Sequence, residues 1–334
     1  MNEKAIKQEI IRRLPKSVFQ PNPMAAWFLV PIMAVLLAGH AVLLFATPTW
    51  WLALPLVIVC GSTQGTLWSF AHEAAHGTML RHKGVRRFCT NLAGFFFLYP
   101  GELLERWHLA HHRHTHQEGK DPDVVTMDDF QGARFWMIRQ LAKLGLMNQL
   151  FYSFVSNSMH GNIVLWIRTR DLHVFAMDSW RYLRAKSLVI LATWLGICCL
   201  AGPVGAIFGF VLPLLVANAT FSSYALAHHH SSPLTDHPDI LNTTVSIRTS
   251  RLFEILHLHG CHHIEHHLFP RMNWRYLPLV RRELQEIAGP RFRTITHWES
   301  IRLAIGLPLL YVNATTKANP AGTRIVQISG STQG

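Results

Sequence analysis

The chain has 334 residues, of which 49% are hydrophobic and only 15% charged, and its formal charge is +12. Positive mean hydropathy and apolar residues gathered in a few long blocks exclude an ordinary soluble core and point to a membrane protein. The basic residues flank those blocks instead of forming one stripe, so the charge reads as a positive-inside bias with attraction to anionic headgroups, and no nucleic-acid partner is expected.

The first 20 residues, MNEKAIKQEIIRRLPKSVFQ, are basic and polar and lack the apolar stretch of a cleavable signal peptide. Residues 1–23 therefore read as a basic cytosolic leader helix. Met24–Ala46 is long enough to cross a bilayer, which takes about 20 residues. After TPTW, a second apolar run from Trp51 to about Phe70 crosses back and delivers His72 and His76 at its far end. The patch RHKGVRR (Arg81–Arg87) follows at once and marks that side as cytosolic. FCTNLAGFFFLYPGELL is too short and too broken by Gly and Pro for a span, and reads as interfacial or re-entrant.

From Arg106 to Lys186 the chain is mixed; FWMIRQLAKLGLMNQLF has helical spacing and predicts amphipathic helices on the membrane surface. Ser187–Ala201 and Val204 to about Ala227 predict a helical hairpin around Gly202-Pro203. LAIGLPLLYV (Leu303–Val312) is apolar but too short to span, and the tail NPAGTRIVQISGSTQG reads as loose. The expected fold is all-α: an integral membrane protein with about four transmembrane helices in two hairpins and a cytosolic helical cap. Its expected divisions are the leader at 1–23, the membrane domain at 24–280, and an amphipathic segment with the loose tail at 281–334. With the leader inside, both hairpins return the chain to the cytosol, so every histidine cluster emerges on that face.

Histidine is the anomaly, with 22 residues against 19 Asp and Glu together. His72 and His76 stand four apart, on one face of a helix. With Glu73 between them they match the His-Glu-x-x-His of zinc metalloproteases, where the carboxylate is the base. HLAHH adds His108, His111 and His112, and HIEHH adds His263, His266 and His267, again at offsets of three and four. These eight imidazoles are too many for one tetrahedral zinc. They suit two ions, iron or zinc by ligand type, and AHHHSS (His228–His230) can supply a ninth. A protease needs only one further ligand and leaves two clusters unexplained. A metal transporter places ionisable groups inside the spans, where only His40 lies, and His40 reads as a helix-contact residue. The five cysteines form no Cys-x-x-Cys pair, so neither a disulfide framework nor a zinc finger is indicated.

HEAAH, HLAHH and HIEHHLFP resemble the three histidine boxes of integral-membrane fatty acid desaturases. HHRHTHQEGKDPD, LNTTVS and HHIEHHLFPRMNWRYLP extend the resemblance over roughly Trp51–Pro278. It implies four spans, a cytosolic cap and a non-haem di-iron centre, and it makes the protease-like string around Glu73 a coincidence. The implied iron ligands are His72, His76, His108, His111, His112, His263, His266 and His267, with the additional one best matched by His229 and His228 its rival. His114, His116, His257, His259 and His262 would surround the ligands or lie on the surface. Glu265, Asp121 and Asp236 are candidates to orient ligand rings by accepting the free imidazole N–H.

The implied reaction removes two hydrogens from adjacent methylenes of an acyl chain and reduces O2 to water. Hydroxylation, acetylene formation and decarboxylation to a terminal alkene stay open. An alkyl C–H bond is too strong for an amino-acid base, which independently calls for a redox metal with O2. The acyl group is carried as acyl-lipid, acyl-CoA or acyl-carrier protein. No His-Pro-Gly-Gly haem string and no four-cysteine cluster set is present. A separate ferredoxin, cytochrome b5 or rubredoxin-like donor is therefore expected, docked by the basic face. Arg248, Arg251, Arg271 and Arg275 suit an anionic headgroup or membrane lipid.

Overall fold

The computed structural model describes residues 2–22, 25–46, 48–79, 82–132, 136, 140, 149–168 and 179–328. Most of the stretch FWMIRQLAKLGLMNQLF falls outside the described residues. Helix α1 (Glu3–Arg13) starts at Asn2, whose side chain accepts from the Ala5 amide, and carries Glu3 in its first turn and Arg12 and Arg13 in its last. That charge order suits the helix dipole.

Among the described residues, three helical runs are long and apolar enough to cross a membrane: Trp27–Ala46, Trp50–His76 and Trp180–His230. The first comprises α2 (Ala25–Ala41) and a π turn over Val42–Ala46, and the second is α3 (Trp50–His76). The third, of 51 residues, is two rods. Gly202 has φ 74° and ψ 174°, a conformation reserved for glycine, and Pro203 follows it. The rings of Trp194 and Phe210 are 4.5 Å apart across this point, whereas a straight helix would hold them about 24 Å apart. The chain has therefore reversed direction, as the Gly-Pro pair predicts. Trp27, Leu37, Phe45, Leu195 and Leu200 point outward and exposed along these rods, the reverse of a soluble helix and the arrangement that lipid allows.

Small residues set how closely the rods approach. A Cβ at Gly61 of α3 would fall 2.6 Å from the Pro213 carbonyl oxygen and 2.5 Å from Val216 Cβ, so only hydrogen fits there. His40 Nε2 accepts from Gln64 Nε2 at 2.8 Å, bridging α2 and α3, in keeping with a helix-contact role. At 27 residues, α3 is about 40 Å long, beyond the roughly 30 Å hydrocarbon thickness. Its last turns, with His72 and His76, protrude.

Beyond the membrane end of α3 come α4 (Lys83–Phe97) and α5 (Gly101–His114), joined by a turn in which Leu98 has φ 67°. Neither is a candidate span. A short α6 (Met127–Gln131) precedes α7 (Gln149–Ile163), which packs along α9 (Leu212–Ser222) through a polar seam. There Asn218 Oδ1 accepts from the Asn157 and Ser158 amides. This part of the mixed region thus belongs to the bundle instead of lying flat on a surface. The first arm of the second hairpin lies in α8 (Trp180–Ala206).

The polar cap is built from α10 (Ala227–His230), α11 (Ile240–Thr243), α12 (Arg251–Leu256), α13 (His263–Leu268), α14 (Leu277–Ala288) and α15 (His297–Gly306). The leader helix docks into it: Ile6 and Ile10 are buried with Ile264, Leu268, Val280 and Leu284, and Arg13 pairs with Glu283 at 3.1 Å. To the helical plan the cap adds two small sheets. Ser246–Arg248 (β1) pairs in parallel with Thr294–Thr296 (β2), and Leu310–Asn313 (β3), Thr316–Ala318 (β4) and Ile325–Gln327 (β5) form an antiparallel sheet. The tail read as loose therefore carries an edge strand, and LAIGLPLLYV divides between α15 and β3.

Candidate metal centre

The nine histidines singled out from the sequence converge as two adjoining groups. His72, His76, His108, His112 and His266 form one, and His111, His229, His263 and His267 the other, each with its ligand atoms within 4.8 Å of one another. The box spacing explains the division. On α5, His108 and His112 are one turn apart and enter the first group; His111 lies about 100° round the helix from His112 and enters the second. Helix α13 does the reverse, sending His263 and His267 to the second group and His266 to the first. Each of these two boxes thus straddles both groups, while α3 supplies two rings to the first and α10 one to the second.

The ring nitrogens face one another across short gaps. Nε2 to Nε2 distances are 2.6 Å for His76–His108, 3.0 Å for His112–His108 and 3.1 Å for His266–His112. In the second group they are 3.2 Å for His111–His229, 3.0 Å for His229–His263 and 3.1 Å for His267–His263. Ligands about 2.1 Å from one ion stand about 3.0 Å apart at right angles and about 3.4 Å apart in a tetrahedron. The spacing fits the wider coordination, and five rings exceed what a tetrahedral zinc takes.

Four of the nine rings are fixed from behind, which leaves their Nε2 free for a metal. His72 Nδ1 donates to Glu73 Oε1 at 3.1 Å, and His111 Nδ1 to Asp121 at 3.0 Å. His229 Nδ1 donates to the Thr243 carbonyl at 2.8 Å, and His267 Nδ1 meets the Thr115 hydroxyl at 3.4 Å. Burial, and then the neighbouring rings, push His108, His112, His263, His266 and His267 well below the ordinary imidazole value of 6.5. These rings are neutral and ready to ligate. At His111 burial opposes charge, but Asp121 and Asp123 outweigh it and raise the ring to about 9.

Of the carboxylates expected to orient ligand rings, Asp121 does so. Glu265 instead accepts from His262 Nδ1 at 3.1 Å and from Arg281 Nε at 2.7 Å. Asp236 takes part through its backbone carbonyl, which accepts from Gln117. His228 lies outside both groups, stacked on His263 at 3.9 Å between ring centroids. Among the surrounding histidines, His114 pairs with Gln117 and His116 with the Pro233 carbonyl. His257 meets Ser69. The protease-like string has another use here: Glu73 is buried, takes the Thr78 hydroxyl at 2.6 Å and holds His72. A carboxylate so occupied is not a base on water, which removes the protease reading. Asp123, 3.2 Å from His111 Nδ1 and accepting from Trp107, was also missed; its place two residues after Asp121 was the available signal.

A cavity of about 170 Å³ opens against both groups, touching His72 and His108 of the first and His111, His229 and His263 of the second. Trp68, Leu104 and Phe221 give it apolar walls, and Asn157, His160 and Asp123 a polar one.

Apolar rods ending in clustered imidazoles able to bind metal define an integral membrane protein with a histidine-lined centre. The chain belongs to the fatty acid desaturase family, whose model matches residues 48–298. It is 30% identical over 114 residues to an sn-1 oleoyl-lipid 12-desaturase of Picosynechococcus, a match covering 34% of this chain and 33% of that enzyme. A sphingolipid delta(4)-desaturase of Bos taurus is 23% identical over 88% of this chain and 84% of its own length. A beta-carotene ketolase of Haematococcus lacustris is 25% identical over 63% of this chain and 56% of that protein.

Proposed function

We propose that this chain is a di-iron fatty acyl desaturase whose centre lies on the cytosolic face. One O2, two electrons, two protons and the two hydrogens of adjacent methylenes become one double bond and two waters. The observation that carries the reading is a single cavity walled by both imidazole groups, which lets one chain segment face two ions at once. The nine histidines would hold the irons, and bound iron would supply the redox chemistry with O2 that no side chain provides. Glu73, Asp121 and Thr243 keep the rings aimed, while Trp68, Leu104 and Phe221 exclude bulk water from the reacting segment.

Exposed Lys83 and Arg87 beside the end of α3 support the cytosolic orientation. Exposed Arg248, Arg251, Arg271 and Arg275 suit a lipid, CoA or carrier-protein phosphate, or an acidic ferredoxin, cytochrome b5 or rubredoxin-like donor.

A second reading, oxygen insertion beside a polar group, is favoured by the cavity wall. Both ring nitrogens of His228 and Nδ2 of Asn157 are buried there without a hydrogen-bond partner, and such atoms call for a polar ligand or water.

The test is expression in a host of defined lipid profile, with iron analysis of the purified protein and mass spectrometry of total acyl products. About two irons per chain and new species two mass units lighter are expected. Products sixteen units heavier would move the assignment to the second reading. An unchanged lipid profile from iron-loaded protein given a competent donor would remove both.

A further inference from the structure

Outside the nine-histidine centre, the turn between α12 and α13 assembles another ligand set. Glu254, His259 and His262 bring one carboxylate oxygen and two ring nitrogens within 4.8 Å of one another. Local backbone geometry creates the meeting: the His259 amide donates to the Glu254 carbonyl at 2.7 Å, which folds the chain back on α12. The side chain of His262 is 2% exposed, and its Nδ1 donates to Glu265 Oε1 at 3.1 Å. That bond assigns the lone pair to Nε2. This nitrogen stands 3.3 Å from Glu254 Oε1, yet outside hydrogen-bond geometry, and it has no hydrogen-bond partner. Nor has the buried Nδ1 of His259, 3.9 Å from Glu254 Oε2.

We propose that Glu254, His259 and His262 bind one zinc ion, separate from the paired histidine groups. Glu254 and Glu265 carry two negative charges, and Arg281 supplies one positive, 2.7 Å from Glu265 and 3.9 Å from Glu254. A proton on His262 would balance the rest, but it would leave His259 Nδ1 buried and unused. A metal uses both nitrogens and the carboxylate together. Two imidazoles and one carboxylate, with the far ring nitrogen of His262 held by Glu265, form a donor set suited to zinc, with a fourth position for water. The partial exposure of Glu254 and His259 leaves that position open to solvent.

Full-length protein, purified in detergent and equilibrated with micromolar zinc, is analysed for both metals by mass spectrometry. One zinc per chain is expected beyond whatever occupies the paired groups, and Glu254→Gln/His259→Asn is expected to lose that equivalent while its iron stays unchanged. Equal zinc in the two proteins, or none in the wild type, overturns the proposal and leaves His262 and Glu254 a protonated pair. If the variant fails to fold, zinc-edge absorption on the wild type decides. Two imidazole and two oxygen ligands at about 2.0–2.1 Å support the site; a shell of four or more imidazoles places the zinc in the paired groups and overturns it. The result is independent of the reaction, since neither readout uses turnover.

Discussion

His111 Nδ1 stands against two carboxylates, Asp121 at 3.0 Å and Asp123 at 3.2 Å. Asp121 is fully buried, and it is itself held by the amides of His116 at 2.7 Å and Asp123 at 2.9 Å. It therefore cannot follow the ring if the ring moves. Asp121→Asn keeps the shape but removes the charge, so iron affinity is expected to fall about 10–100-fold, the usual cost of losing such a partner. Asp236→Asn, whose side chain makes none of these bonds, is expected to keep wild-type iron. Iron remaining after a graded chelator challenge measures both, and equal retention by Asp121→Asn and wild type would sink the orienting role. At this scale the clustering of the box histidines was legible, because offsets of three and four need only a helix. Their supports were less so. Thr243 offers a backbone carbonyl from a different element, and Thr115 a hydroxyl already donating to His111 O at 2.9 Å, and neither follows from local spacing.

Rods that must deliver rings from α3 and from the second hairpin to one place need a fixed approach distance, and α3 meets α9 at Gly61. Gly61→Leu would drive a side chain into backbone that cannot yield, and overpacking of this kind costs about 1–3 kcal/mol. A lower thermal midpoint in detergent is expected for Gly61→Leu. Gly196→Ala, where a Cβ meets nothing within 4 Å, is expected to leave the midpoint unchanged or slightly raised. No difference between the two would show that α3 and α9 do not rely on this contact. The spans and the reversal at Gly202 were readable from hydropathy and turn chemistry. The three-residue strands of the cap were not, since so short a run has no periodicity, and β5 exists only because β4 offers it an edge.

In the whole molecule, folding gathers imidazoles that the unfolded chain keeps apart and hydrated, and this makes the metal-free protein sensitive to pH. His108, His112, His263, His266 and His267 have folded values well below 6.5, so between those values and 6.5 the unfolded chain binds more protons. Stability then rises with pH across that window, being complete above 6.5 and lost as the pH falls below it. His111 acts in the opposite sense: held at about 9 by Asp121 and Asp123 against burial, it stabilises below 6.5 and loses that contribution as pH climbs through 9. Lowered rings far outnumber raised ones, so the acid side dominates. The thermal midpoint of metal-free protein in detergent is expected to drop steadily from pH 7 to pH 5.5 and to decline more gently above pH 8. Bound iron should flatten the acid limb, because a metal on Nε2 competes with the proton for the same lone pair. A midpoint independent of pH from 7 to 5.5 without metal would mean that the rings are hydrated in solution, and the close imidazole packing that supports two ions would not exist.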